Sequence, residues 1–218
     1  MTRRLPDTAS VAHGSEDARL YAPAAERNAG PLCDLLARHA PAPGPALELA
    51  SGTGQHVVAF ARRLPGFDWQ PTEIAAERRA SVDAHVAAAG LANVRPALAL
   101  DATAPGWAAT HSGQALIVLV NLLHLIGAAE ARTVIAEAAA ALAPGGRLVL
   151  YGPFRRSGEL TSAGDAAFHA SLVAADPEIG YKDDRDVKDW IRGEGLDLIA
   201  AVEMPANNLA LVVEKPVI

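Results

Sequence analysis

The sequence predicts an α/β domain in which a mostly parallel sheet is covered by helices on both faces and finished by an antiparallel C-terminal hairpin. Three observations predict it. Short apolar runs alternate with helix-length segments, a glycine turn follows the first of those runs directly, and the last two runs are joined only by Pro205-Ala206-Asn207-Asn208. Strands separated by helix-length segments need right-handed crossovers and lie parallel. So short a final connection can join only antiparallel neighbours.

The leading helix is predicted over Pro23 to His39, with Pro23 suited to a first turn and Leu32, Leu35 and Leu36 on one face. The proline-rich run from Pro41 to Pro45 stops it, and Ala46 to Ala50 reads as a short buried strand. After Ser51-Gly52-Thr53-Gly54, the residues Val57, Val58, Ala61 and Leu64 recur at helical spacing until Pro65-Gly66. Phe67 to Thr72 then reads as a strand, Ala75 to Ala89 as a helix ended by Gly90, and Val94 to Leu100 as a third strand. Leu116 to Val120 is the fourth. Ala128 to Leu142 is a helix with Ala131, Val134, Ile135, Ala138 and Leu142 on one face, and Arg147 to Tyr151 is strand five. Gly152 to Gly180 reads as irregular, Arg185 to Gly193 as a helix, and Leu196 to Met204 with Leu209 to Glu214 as the hairpin. The expectation is seven strands in one domain over residues 17–218, preceded by a flexible tail at 1–16.

Bulk properties narrow the function. With 218 residues, half of them hydrophobic, the chain can bury a core without disulfides or metals. Its net charge of -6 disfavours sequence-independent binding to phosphate backbones, so small-molecule substrates are expected and nucleic acid is not. Cys33 is the single cysteine, which points to a reducing, cytoplasmic compartment. The most apolar stretch, Ala115 to Ala129, is too short for a membrane helix and is broken by Asn121 and His124, so no membrane is expected. The remaining histidines show no metal-ligand spacing, and no metal site is predicted. A monomer or homodimer is expected.

Chemistry concentrates at the strand ends. Glu48 lies inside the first strand, just before Ala50, Ser51, Gly52 and Gly54, where backbone without Cβ atoms can pass close under a nucleoside at a helix N-terminus. Glu73 ends the second strand, where a carboxylate suits ribose hydroxyls. Asp101, followed by Ala102, ends the third, where a carboxylate can meet an exocyclic adenine amine. A nicotinamide enzyme shares the first two features. Its sixth strand, however, would be parallel and reached through a helix, and Val57 stands where the third fingerprint glycine belongs. The hairpin therefore favours a Rossmann-like class I methyltransferase fold, whose final strand is antiparallel and inserted, with S-adenosylmethionine as cofactor and S-adenosylhomocysteine as product.

Combined motifs sharpen this. Glu48 to His56, Arg27-Asn28, Asn121-Leu122-Leu123-His124, Tyr151-Gly152-Pro153-Phe154 and Met204 to Asn208 together resemble the DUF938 family, also called UPF0585 or methyltransferase-like 26, over about Tyr21 to Lys215. The resemblance implies a class I S-adenosylmethionine-binding fold. Thr72-Glu73 replaces the family's usual Ser-Asp but keeps the carboxylate, whereas Leu125 to Ala128, Gly164-Asp165 and Gly180 to Asp183 depart from the usual pattern around the expected pocket. Substrate identity is therefore not carried over.

Methyl transfer from a sulfonium is an in-line displacement at O, N or S that needs alignment more than a base. His124 is the candidate base, or else a structural or substrate-orienting histidine. Asn121 either bonds the nucleophile or cofactor, or caps its loop; Tyr151 either lines the acceptor pocket or packs. Arg27, beside Asn28 on the leading helix, either meets the cofactor carboxylate or is a solvated charge. His56 reads as a helix-surface residue, Asn207-Asn208 as turn formers, and Arg155-Arg156 as an anion-attracting or solvated pair. A noncatalytic S-adenosylmethionine- or nucleoside-binding module is the principal alternative, and an NAD-dependent oxidoreductase a third reading.

Overall fold

The structure, a computed structural model, describes residues 5, 6, 9, 11–14 and 17–217. Much of the predicted tail thus lies outside the described residues. Strands β1 (His13–Gly14) and β2 (Leu20–Tyr21) form a small antiparallel pair. Helix α1 spans Pro23–His39, with Pro at its first turn as expected; Pro31 inside it has no N–H, so the Arg27 carbonyl loses its intrahelical partner. Then follow β3 (Pro45–Leu49), α2 (Gln55–Arg63), β4 (Asp68–Pro71) and α3 (Ala76–Ala89), the last ended by Gly90 at φ +62°. The second half contains β5 (Gln114–Val120), α4 (Ala128–Ala141), β6 (Leu142–Pro153), α5 (Ala163–Ala175), α6 (Asp184–Gly193), β7 (Asp197–Glu203) and β8 (Asn208–Glu214).

The main sheet has the order β4-β3-β5-β6-β8-β7. β4, β3, β5 and β6 are parallel, and β8 is antiparallel to both β6 and β7. The hairpin prediction holds, with β8 inserted between β6 and β7. The strand count does not hold: the sheet has six strands where seven were expected. Val94 to Leu100 makes only isolated parallel bridges, Trp69 to Val94 and Thr72 to Leu98. Pro96 has no N–H to donate between those bridges, and Pro71 on the facing strand has none either, so no continuous ladder can form. Gly152 to Gly180 was expected to be irregular, but α5 lies within it. Ser162 caps that helix by accepting from the Asp165 N–H, while Asp165 in turn accepts from the Ser162 and Thr161 hydroxyls.

Alternation along the strands divides the core. Leu47, Leu49, Ile117, Leu119, Leu148 and Leu150 face α4 and α6 through Val134, Ile135, Val187 and Ile191. Ala46, Leu116, Val118, Val149 and Tyr151 face the other way, against Leu32, Leu36, Val57, Phe60 and Val82 of α1, α2 and α3. Both faces are therefore covered, and the period-two pattern leaves only the strand ends to carry polar chemistry. No helix among the described residues is long and apolar enough to cross a membrane.

Candidate functional site

At the C-terminal end of β3 the chain turns sharply: Ala50, Gly52 and Gly54 all have positive φ, at 51°, 59° and 93°. The turn is held from beneath. Ser51 N–H donates to Thr72 O at 2.8 Å, and the Thr72 hydroxyl donates to Glu48 O at 2.8 Å. Glu73 Oε2 accepts from Gly52 N–H at 3.0 Å and Oε1 from Ala75 N–H at 3.2 Å, so the carboxylate fastens the glycine turn to the end of β4. Gln55 Oε1 accepts from the Thr53 hydroxyl and from Ala22 N–H, tying the start of α1 to the same turn.

The two glycines differ in what they face. A Cβ on Gly52 would meet nothing nearer than Arg78 Nη1 at 3.8 Å, whereas one on Gly54 would lie 2.6 Å from Val82 Cα in α3. Gly52 leaves open space beside a cavity, and Gly54 lets α3 pack on the turn.

That cavity, of about 930 Å³, opens where the strand order reverses between β3 and β5, the place where open parallel sheets bind ligands. Its wall contains Arg27, Ala50, Ser51, Gly52, Glu73, Asp101, Ala102 and Asn121 among the residues singled out from the sequence. Asn121 sits at φ +57°, which Asn tolerates, and donates its N–H to Tyr151 O. Asp101 Oδ1 accepts from Thr103 N–H and from the Thr103 hydroxyl. Glu48, Asn28 and Gly54 are not part of the wall, and Glu48 and Asn28 are buried. His124 and Tyr151 are not part of the wall either.

Electrostatics follows burial. Glu48 Oε2 has no partner, and burial pushes the carboxyl up to about 8 against the opposing bond to Ser51, with Glu73 nearby adding to the rise. Burial, helped by Lys182, pushes His124 down to about 3; its ring packs edge-on against Phe168 and Tyr181. Burial raises the Tyr151 hydroxyl to about 12. Neither group is a ready base near neutrality. Arg156 is held by Glu203 and by the Phe154 and Asn207 carbonyls, and Asn207, at φ +59°, donates from its side chain to Asp165. Cys33 is half-buried, and burial raises its thiol. No group of three His, Cys, Asp or Glu among the described residues could hold a metal.

Two further wall residues bear on the site. His56, expected on a helix surface, is buried and lines the cavity, because its face of α2 is covered by the first turns of α1. Ile74 is 63% exposed at the cavity mouth. An apolar residue directly after a strand-end carboxylate was a legible signal for it, whereas the burial of His56 follows from the packing of α1 on α2.

The sequence profile of the family described as "Protein of unknown function (DUF938)" matches residues 19–215. The chain belongs to the DUF938 family. In fold, this DUF938 protein is similar to an O-methyltransferase family protein from Burkholderia thailandensis, at TM-score 0.74 and 21% identity, covering 87% of this chain and 57% of that one. Human N-acetylserotonin methyltransferase, solved with S-adenosylmethionine, matches at TM-score 0.70 and 12% identity over 87% of this chain and 52% of its own. CalO1, a calicheamicin-biosynthesis methyltransferase solved with S-adenosylhomocysteine, matches at 0.68 and 17% over 89% and 54%. The DUF938 chain spans a little over half the length of these structures. The likeness establishes a class I methyltransferase fold.

Proposed function

We propose that this DUF938 protein is an S-adenosylmethionine-dependent methyltransferase acting on a small-molecule acceptor at O, N or S. The observation that carries the reading is the cavity at the strand-order reversal, floored by Gly52 and bordered by Glu73 and Asp101. Its volume is at the upper end of the roughly 300–1,000 Å³ of small-molecule sites, enough for a cofactor and a small acceptor side by side. Relatives in fold were solved with this cofactor or its demethylated product.

The chain's own residues fit that group. Each Glu73 oxygen uses one lone pair on a backbone N–H and keeps another for a ribose hydroxyl. Asp101 spends Oδ1 on Thr103 and leaves Oδ2 for an exocyclic amine. Ile74, Leu100 and Ala102 offer apolar surface for a purine. When bound, the cofactor supplies an activated methyl carbon, and the protein's task is to align the acceptor and exclude water. In this reading Asn121, on the wall directly after β5, orients an acceptor N–H or O–H. His124 and Tyr151 act at most through packing, since both lie off the wall.

Isothermal titration with S-adenosylmethionine and S-adenosylhomocysteine tests the reading; binding of neither removes it. The noncatalytic binding module is the second reading, favoured by the lack of a group on the described wall poised as a base. Tight cofactor binding without product formation across a broad metabolite extract would select it. The antiparallel β8 argues against the oxidoreductase. The proposal extends to a cytoplasmic monomer or homodimer that does not act on nucleic acid.

A further inference from the structure

The wall of the cavity that contains Glu73 and Asp101 also contains a side chain with an unpartnered polar atom. His56, the second residue of α2, is 7% exposed, lines the cavity and stacks its ring parallel to Phe60 at 5.7 Å. One ring nitrogen donates to the backbone carbonyl of Ala25 in α1, while Nε2 is buried with no hydrogen-bond partner. The proton is therefore fixed on Nδ1, and Nε2 presents a lone pair. Leaving such an acceptor unpaired costs about as much as a lost hydrogen bond, so the folded protein carries an unmet demand for a donor here.

The surroundings say what kind of donor. Burial pushes His56 down to about 4, so the ring is neutral and its lone pair is available near neutrality. Arg27, two residues after Ala25 in α1, lines the same cavity, and the unpaired N–H groups of the first turn of α2 favour negative charge beside His56. A neutral nitrogen acceptor beside a guanidinium and a helix N-terminus complements a group carrying both an ammonium and a carboxylate.

Resting on the reading of the cavity as an S-adenosylmethionine site, we propose that His56 Nε2 accepts a hydrogen bond from the α-ammonium of the cofactor's amino-acid end, with Arg27 facing its carboxylate. His56 is thus a cofactor-binding residue that discriminates the amino-acid-bearing ligand from a bare nucleoside. The imidazole does not change protonation in this role.

The test is a ligand and mutation cycle by isothermal titration. S-adenosylhomocysteine is compared with 5′-methylthioadenosine, which lacks the amino-acid end, on the wild-type chain and on His56→Phe, which keeps the stack on Phe60 but cannot accept. A bond to a charged donor predicts that His56→Phe weakens S-adenosylhomocysteine about 10- to 100-fold and 5′-methylthioadenosine less than about 3-fold. Equal losses for both ligands, or no loss for either, overturn the assignment. If the variant fails to fold, the wild-type chain still decides through S-adenosylhomocysteine stripped of its α-amino group: a loss of about tenfold or more supports the bond, and undiminished affinity overturns it. Failure of the wild-type chain to bind any of these ligands overturns the parent reading, and the assignment with it.

Discussion

Gly54→Ala and Gly52→Ala should separate the glycine that admits a helix from the glycine that admits a ligand. Both residues have positive φ, so an alanine at either place is strained by about 1–2 kcal/mol. Both replacements also stiffen the unfolded chain, returning about 0.4–1 kcal/mol. The difference lies in space. At position 54 the new Cβ would stand 2.6 Å from Val82 Cα and 3.2 Å from Val82 Cβ and Cγ2, which backbone movement of α3 must relieve at about 1–3 kcal/mol. The net is a loss of roughly 3 kcal/mol for Gly54→Ala. For Gly52→Ala, with 3.8 Å to the nearest atom, it is about 1 kcal/mol. In a chain of this size these losses correspond to about 6–12 °C and about 2–4 °C in melting temperature. Calorimetry and urea unfolding measure the losses, and titration with S-adenosylhomocysteine measures the second consequence. Gly52→Ala, whose methyl projects beside the cavity, should cost far more affinity than stability. A Gly54→Ala protein melting within about 2 °C of the parent would refute the packing argument.

Glu73→Ala should weaken S-adenosylhomocysteine binding at least about tenfold. Because it also frees Gly52 N–H and Ala75 N–H, it should cost about 1–2 kcal/mol by denaturant unfolding; unchanged affinity would exclude the ribose role. Stability should peak near pH 6.5. His56 and His124 are held below their ordinary value, so the unfolded chain binds more protons as the pH falls below about 6.5 and stability drops. Glu48 is raised to about 8, so the folded chain keeps a proton that the unfolded chain has lost, and stability declines between pH 6.5 and 8 by up to about 1.4 kcal/mol per unit. Glu48→Gln should flatten that alkaline limb, and a limb that persists would refute the assignment. His124→Gln should leave the pH profile of turnover unchanged; a vanished ionisation near neutrality would restore His124 as a base.

Most of the architecture was legible because its signals are local. Helix α1 coincides with its expected range because Pro23 and the leucine stripe mark its start and its inward face. The antiparallel β8 was readable because the Pro205 to Asn208 turn is too short for any other geometry. The missing strand shows where apolar content misleads. Val94 to Leu100 is apolar apart from Arg95, yet Pro96 cannot donate to a ladder whatever its neighbours are. Helix α5 was hidden because its Ala-rich sequence carries little face-to-face contrast, and its start depends on a Ser162-Asp165 exchange supported from afar by Tyr181 and Asn207. At the site, the strand-end acids could be placed from spacing alone. The burial of His56 depends on how α1 crosses α2, which no local pattern encodes, and the withdrawal of His124 behind the wall depends on Phe168 and Tyr181, distant in sequence.

The position of β8 sets an order of assembly. It follows β7 along the chain but stands between β6 and β7 in space, so β7 cannot join the sheet by itself. Until β8 docks, alone or already paired with β7, Leu148 to Tyr151 present an unpaired apolar border, a template for unwanted pairing with another molecule. Hairpins close within microseconds, whereas docking one against residues some sixty positions earlier is slower. Conditions that delay this docking should therefore favour association through the β6 border over productive folding.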